Sequence, residues 1–399
     1  MIKYFAHRIL NSKKHLSIFL IAALVFFGSS LVLSFKSGQS ESVKKVAGVS
    51  ERVATNNGLD QYTSQKYISR GWMLYAQDIA RKESLTAPQV SRLYAYVSSV
   101  FYDIYTINKH TPSAVYAVKE VINAIEPKYF DMTNSVAAAL ARNNLPESLT
   151  GGESKELEKT LSWINKDGSS AQFTGTLEGK SGWEGISVDT LVSPNAGGWR
   201  RWALDQNIDF QTPVPTTDIA IETKKVLQAE KNLTPGQRSI VLFWQGNKSG
   251  IGISGIWQNR LYDEINSVKI KEEGYAKIQK ILAVSLADAT LETWKVKYTH
   301  WSAPTSSLVP SFKPLVVSNK LPGYVSEAAV LGSTANVILS HYIANKDDVF
   351  GKDAKDSRDS GLWSGTQFDR DNQAGYDLGI KIGNEILKKN FNLAICLNQ

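Results

Sequence analysis

From Leu59 onward the sequence predicts a mostly helical body, on the strength of three observations. Thr86-Ala-Pro-Gln89 and Thr234-Pro-Gly-Gln237 both have the form of a capping box, in which a threonine and a glutamine three residues later satisfy each other's free amides. Behind the first, Leu93, Val97, Val100, Phe101 and Ile104 recur at the i, i+4, i+7 rhythm of a core-facing helix. Further on, Ile278, Ile281, Leu282, Leu286, Ala289 and Trp294 form a second such stripe.

In chain order, residues 16–35 are largely apolar and uncharged, a run of about 20 residues that is long enough to span a bilayer. Lys3, Arg8, Lys13 and Lys14 precede it without an acidic residue, so residues 1–15 are expected in the cytoplasm and the bulk of the chain outside, periplasmic in a Gram-negative bacterium. A signal peptide cleaved near Gly28 and Ser30 is the rival reading. The apolar run continues through Leu31, Val32, Leu33 and Phe35, which favours an uncleaved anchor. Residues 36–58 are polar and rich in Ser and Lys, as expected of a tether to a domain at 59–399.

The formal charge of +7 falls to about +3 without residues 1–35, too little to argue for nucleic acid. Cys396 is the single cysteine, which excludes an internal disulfide and any thiolate metal cluster. At 399 residues the chain can bury a large core.

Tyr94, Tyr96, Tyr102 and Tyr105 are expected to pack a helix–helix interface. Residues 113–145 read as a helical pair, and between Gly151 and Asp218 helical periodicity fades into Gly, Ser, Trp and Pro. Within that stretch Arg200 and Arg201, in GGWRRW, are expected to pack on Trp199 and Trp202, with an approach to the site as the alternative. The helix behind Thr234 carries Ile240, Val241, Phe243 and Trp244. Pro304, Pro310, Pro314 and Pro322 mark a loop, and the next helix is expected to bury Ala328, Leu331, Ala335, Ile338 and Leu339. Residues 345–361 read as a charged loop, with at most weak divalent-cation binding at Asp347 and Asp348, before a last helix with Ala374, Leu378, Ile382 and Leu387.

Three ordered blocks carry the candidate chemistry: WKVKYTHWSAP (Trp294 to Pro304), LPGYVSEAAVLGSTANVIL (Leu321 to Leu339) and SGLWSGTQFDRDNQAGYDLGIKIG (Ser360 to Gly383). In order and spacing they resemble the oxyanion site of the vanadium-dependent haloperoxidases and the type 2 phosphatidic acid phosphatases. The phrase from Thr86 to Ile107 also resembles the first core helix of bacterial haloperoxidase-like proteins. The resemblance spans roughly Leu59 to Leu387 and implies an all-α helical bundle, with a lysine and two arginines to hold vanadate or phosphate and two histidines for the chemistry.

On that pattern the lysine falls on Lys297, followed by the expected aromatic Tyr298, and the arginine before Pro304 falls on Ala303 or Ser302. The serine of the second block falls on Ser326, while Glu327 and Ala328 replace its glycine and histidine. In the third block Ser360 matches, Gly361 stands for the second arginine, Gln367 for the second histidine, and Asp371 keeps the place of the residue that would orient it. One lysine cannot supply the charge-assisted donors a trianion needs, and neither Gln367 nor Ala328 can move protons near neutral pH. The three blocks are expected to converge, with Lys297 pairing Glu327 in a collapsed, vestigial pocket.

His300 is the one histidine near that pocket, and a bland polar role is the favoured reading for it. No catalytic residue, cofactor or metal is therefore expected. The favoured function is a membrane-anchored, extracytoplasmic pseudoenzyme that acts as a binding or assembly subunit. Its protein partner would lie in the cell envelope and be met through a Trp-rich segment at 183–202 and the charged stretch at 345–361. Two alternatives stay open: a haloperoxidase or acid phosphatase with a divergent site using vanadate or phosphate, and unrelated chemistry at His300, Gln367 or Glu327.

Overall fold

Helix α1 (Ile68–Lys82) opens the bundle, preceded by a single turn at Asp60–Thr63. The structure, a computed structural model, describes residues 58–389 apart from 177–182, 185, 216–217, 246–249, 267, 310–313 and 317–320. The expected flank at 1–15, the anchor at 16–35 and all but the last residue of the tether lie outside the described residues. Among those described, no helix is long and apolar enough to cross a membrane and no strand occurs.

The first capping box starts α2 (Ala87–Asn108), where the Thr86 amide donates to Gln89 Oε1 at 2.9 Å. Lys109 ends it in the left-handed region, and Pro112 then sits in the first turn of α3 (Thr111–Ile125), where its missing N–H costs nothing. The helices α4 (Phe130–Leu140) and α5 (Gly151–Ile164) complete the first half. Its core gathers Trp72, Leu93, Val97, Val100, Phe101, Val118 and Ile122. All four tyrosines of α2 pack within the protein, and the Tyr94 and Tyr96 hydroxyls donate to Ile251 O and Asp167.

Gly151–Ile164 was not expected to be helical. Its stripe of Leu157, Leu161 and Ile164 is short, and the core-facing position before it is taken by Glu153, which accepts from Asn108 Nδ2 at 2.6 Å. Tertiary contacts here outweigh a sparse apolar pattern. The segment that follows is irregular as read, until α6 (Ile219–Lys231) starts on Asp218, whose carboxylate accepts from the Ala220 amide at 2.8 Å.

The second capping box starts α7 (Pro235–Trp244), with the Gln237 amide donating to Thr234 Oγ1 at 3.2 Å. After α8 (Gly252–Ile265) comes α9 (Glu272–His300), the longest described helix, buried on almost every face. It packs on α2 on one side and on α10 (Glu327–Tyr342) on another, so it stands between the two halves of the core.

The stretch at 345–361, expected as a loop, lies mostly within α11 (Asp347–Ser364). Asp347 and Asp348 sit in its first turn, where the helix dipole favours negative charge, and the buried face is mostly small: Ala354, Ser357, Ser360, Gly361 and Ser364. That face lies on α10, with the Ser357 hydroxyl donating to Ala328 O at 2.8 Å. Helix α12 (Asp369–Lys388) approaches α10 through Gly375, Gly379 and Gly383; a Cβ at Gly379 would lie 2.2 Å from Val330 O. Leu378 and Ile382 are buried as expected, joined by Ile386, with Leu387 half-buried.

Candidate functional site

The three blocks do meet. The last turn of α9 delivers Lys297, 2% exposed, whose Nζ donates to Pro322 O at 2.8 Å and Gly323 O at 3.1 Å. The same strip is tied to the end of the first block: the Gly323 amide donates to Ser302 O at 2.8 Å and the Tyr324 amide to Ser302 Oγ at 2.9 Å. A Cβ on Gly323 would stand 2.9 Å from Ala303 O, so this crossing requires glycine.

Ser326 caps α10, and its amide donates to Asp371 O at 3.0 Å. The Asn372 amide, oriented by its hydrogen-bond network, donates to Ser326 Oγ at 2.9 Å and accepts from the Leu362 amide at 3.1 Å. The Ser360 hydroxyl donates to Ser357 O and accepts from Gln245 Nε2. The Asp371 carboxylate accepts from the Phe368 amide at 3.3 Å and lies 3.4 Å from Arg370 Nε. It holds its own helix start, and burial pushes its carboxyl up to about 6 against the pull of Arg370 and Lys297.

Lys297, Ser326, Glu327, Ala328 and Gln367 line one cavity of about 590 Å³. The pocket is therefore open, contrary to the expected collapse. Lys297 and Glu327 form no ion pair within 4 Å; the lysine has turned to main-chain carbonyls, which accept two of its protons in place of water. Burial lowers Lys297 to about 8, with Glu327 and Asp371 pulling it back up. Burial likewise raises Glu327 to about 7, opposed by Lys297. Glu327 keeps partial solvent access through the cavity while protein surrounds it on the wider scale.

The cavity is also lined by Arg81, Ser84 and Thr86 from the first half, and by Gln245 and Thr366. Sequence reasoning missed these, because they come from segments with no shared periodicity. Arg81 is paired with Asp78. His300 lies off the cavity lining, with Nε2 3.1 Å from Thr212 Oγ1 and its ring edge-on to Tyr324; burial lowers its pKa. Among the described residues, no group of three His, Cys, Asp or Glu is placed to hold a metal ion, the acids of α11 included.

Arg200 and Arg201 do not approach the cavity. Arg200 stacks on Trp163, with its guanidinium carbon 3.8 Å from the ring centroid. Arg201 is buried against Glu292 of α9 and donates to Asp205 O at 2.9 Å. Asp288 of α9 accepts from the amides of Trp202, Ala203 and Leu204 at 2.8, 2.7 and 2.7 Å. Trp183 and Trp199 are each 5% exposed and Trp202 packs on Tyr96 and Trp163, so the aromatic segment is interior rather than an exposed surface.

Searches of protein families and of curated proteins return no match. Solved structures do match. The structure described as the first bacterial vanadium-dependent iodoperoxidase superposes with a TM-score of 0.66 at 16% identity, over 80% of this chain and 95% of that one. A holo-type bacterial vanadium-dependent chloroperoxidase gives 0.59 at 13% identity, over 76% and 90%. Its apo-type counterpart gives the same score and identity over 76% and 91%. The fold is that of the vanadium-dependent haloperoxidases. At these identities the likeness extends to the fold and leaves the activity to the site.

Vanadate, the group this haloperoxidase fold implies, does not fit the residues present. An anion in the cavity would face the Glu327 carboxyl, an acid where the site needs a donor. Two of the three Lys297 protons are already given to carbonyls. At position 361 a Cβ would stand 2.5 Å from the Asn372 amide and 3.1 Å from Gln367 Cβ, so a longer side chain there requires both to move.

Proposed function

We propose that this chain is a haloperoxidase-fold pseudoenzyme, anchored by residues 16–35 with its bulk outside the cytoplasm, and acting as a binding or assembly subunit in the cell envelope. One observation carries this reading. At the N-terminus of α10, where main-chain amides and the helix dipole would favour an oxyanion, the chain places its own carboxylate, Glu327, as the first helical residue. Glu327, when ionised, repels phosphate or vanadate, and of the two cations that line the cavity Lys297 already donates to two carbonyls and Arg81 pairs with Asp78. The apolar run at 16–35 and its basic flank support the anchor and its orientation. The protein partner is met through surfaces other than the interior tryptophans.

A second reading rests on the cavity itself. Its open volume of about 590 Å³ lies in the range of small-molecule sites and is compatible with a haloperoxidase or acid phosphatase-type enzyme with a divergent site. Turnover separates the two. The full chain, assayed with vanadate, peroxide and halide and separately with a phosphate monoester, is expected to show no rate above that of Lys297→Ala. A rate well above background that disappears in Lys297→Ala would establish the enzyme and remove the pseudoenzyme.

A further inference from the structure

The charges that line the cavity are offset within the protein. Arg81 pairs with Asp78, and Lys297, which donates to Pro322 O and Gly323 O, shares the space with Glu327, the one acid among the described lining residues. A charged ligand would therefore give up its hydration without meeting an uncompensated charge. What the lining leaves open is a mixture of donors and acceptors. Trp244 Nε1 and Ser84 Oγ make no hydrogen bond among the described residues, and neither is sealed from solvent. Gln245 gives Nε2 to Ser360 Oγ at 2.9 Å, which leaves Oε1 as an acceptor. Glu327, half-buried, adds a carboxyl that makes no hydrogen bond among the described residues. Apolar wall lies among these groups: Leu85, Ile253 and Trp294, whose N–H is already donated to Val192 O at 3.0 Å.

We propose that this cavity binds a small uncharged polyol, a monosaccharide in size, with its hydroxyls on the open donors and acceptors and its carbon face on the apolar wall. The inference rests on the reading of the cavity as closed to oxyanions and names the ligand class that the altered lining takes instead. A hydroxyl both donates and accepts, so a ring bearing several can satisfy the Trp244 N–H as well as the oxygens of Gln245 and Glu327. An ammonium can only donate and a carboxylate can only accept, so each serves one kind of group and leaves the other unmet. The C–H face of a sugar ring suits an indole or aliphatic wall. A volume of about 590 Å³ is ample for one such ring. Glu327 serves in either protonation state, because a carboxyl and a carboxylate both accept from a hydroxyl.

Four probes with a six-membered ring test this: methyl β-glucoside, cyclohexanol, glucuronate and glucosamine. Each is titrated into the full chain, extracted in a detergent without a sugar headgroup, and followed by ligand-observed NMR. Methyl β-glucoside is expected to saturate and to bind about tenfold or more tighter than cyclohexanol, the effect of losing two or more neutral hydrogen bonds. The anionic glucuronate and the cationic glucosamine are both expected to bind more weakly than the neutral glucoside. Glu327→Gln keeps an acceptor without the charge and should hold the glucoside within about threefold, whereas Glu327→Leu should weaken it by a factor of about 3–10. If Glu327→Leu does not fold, Trp244→Phe, which keeps a ring and deletes the N–H, should weaken the glucoside by a similar factor and leave cyclohexanol unchanged. The proposal is overturned if cyclohexanol or either charged sugar binds as well as the glucoside, or if the glucoside does not saturate. It is equally overturned if Glu327→Gln abolishes binding, or if Glu327→Leu or Trp244→Phe keeps full affinity. Orthovanadate as a fifth titrant separates the two levels. Saturable vanadate binding removes the pseudoenzyme reading as well, whereas silence from both vanadate and the glucoside removes only the polyol site.

Discussion

The middle and the C-terminal end of α9 bury ionisable side chains on opposite terms. Asp288 and Glu292 face the irregular segment at 199–209, and there the charges are met: three amides close on Asp288, and Arg201 closes on Glu292. Two turns further on, Lys297 meets two carbonyls, while Glu327 lines the cavity, half-buried and without an ion pair within 4 Å. Buried charge closed by opposite charge or by amides is a structural clamp, even where single atoms of it, Arg201 Nε and Glu292 Oε1, stay without a hydrogen bond. Acceptors left open on a solvent-accessible space are where a ligand or a titration is to be sought.

The clamp is the place for the largest effect. Arg201→Met leaves Glu292 buried without its guanidinium and should cost ~3–5 kcal/mol, read from the urea midpoint at unchanged m-value. A loss below ~1 kcal/mol, the range of surface pairs, would mean the clamp contributes no more than an exposed ion pair. Trp199→Ala comes next, at ~3 kcal/mol, because the ring is interior and packs with Leu291 and Trp294. An unchanged Tm together with loss of a bound protein would restore the tryptophan as an exposed docking residue.

The cavity side is expected to answer to pH. The Glu327 carboxyl is raised to about 7 in the folded state, so the folded chain holds a proton that the unfolded chain has lost. The stability this gives is fully present below pH ~4.3, the unfolded value, and is lost as pH rises through about 7. Glu327→Gln should therefore gain on the wild type between those limits, by ~1–2 kcal/mol at pH 8 once screening through the open cavity is allowed for. Parallel stability curves for the two proteins from pH 4 to 8 would show instead that Glu327 is solvated like a surface acid.

Much of this was legible in the sequence where physics is local. Thr86 and Thr234 announced two helix starts, and the stripes of α2 and α9 announced their buried faces, because caps and 3.6-residue periodicity are written in neighbouring residues. Lys297, Ser326 and Gln367 line one cavity, as the resemblance of their three blocks implied. Helix α11 was illegible for a definite reason: apart from Phe350 its buried face is Ala, Ser and Gly, small enough for close approach to α10 but nearly silent on a hydrophobicity scale. The open pocket was also out of reach. Whether Lys297 turns to Glu327 or to the carbonyls of Pro322 and Gly323 depends on a long-range crossing with Ser302 and Ala303 that no local pattern encodes. The interior position of Trp183 and Trp199 is of the same kind, since an aromatic run without periodicity is equally consistent with surface and core.

Vanadate calorimetry on the full chain tests the central claim most directly, namely that a haloperoxidase fold here surrounds a cavity unable to hold an oxyanion. With Glu327 at the head of α10 and Lys297 already satisfied, the account predicts no saturable heat for orthovanadate or phosphate, in the wild type or in Lys297→Ala. Micromolar binding of vanadate that vanishes in Lys297→Ala would contradict it.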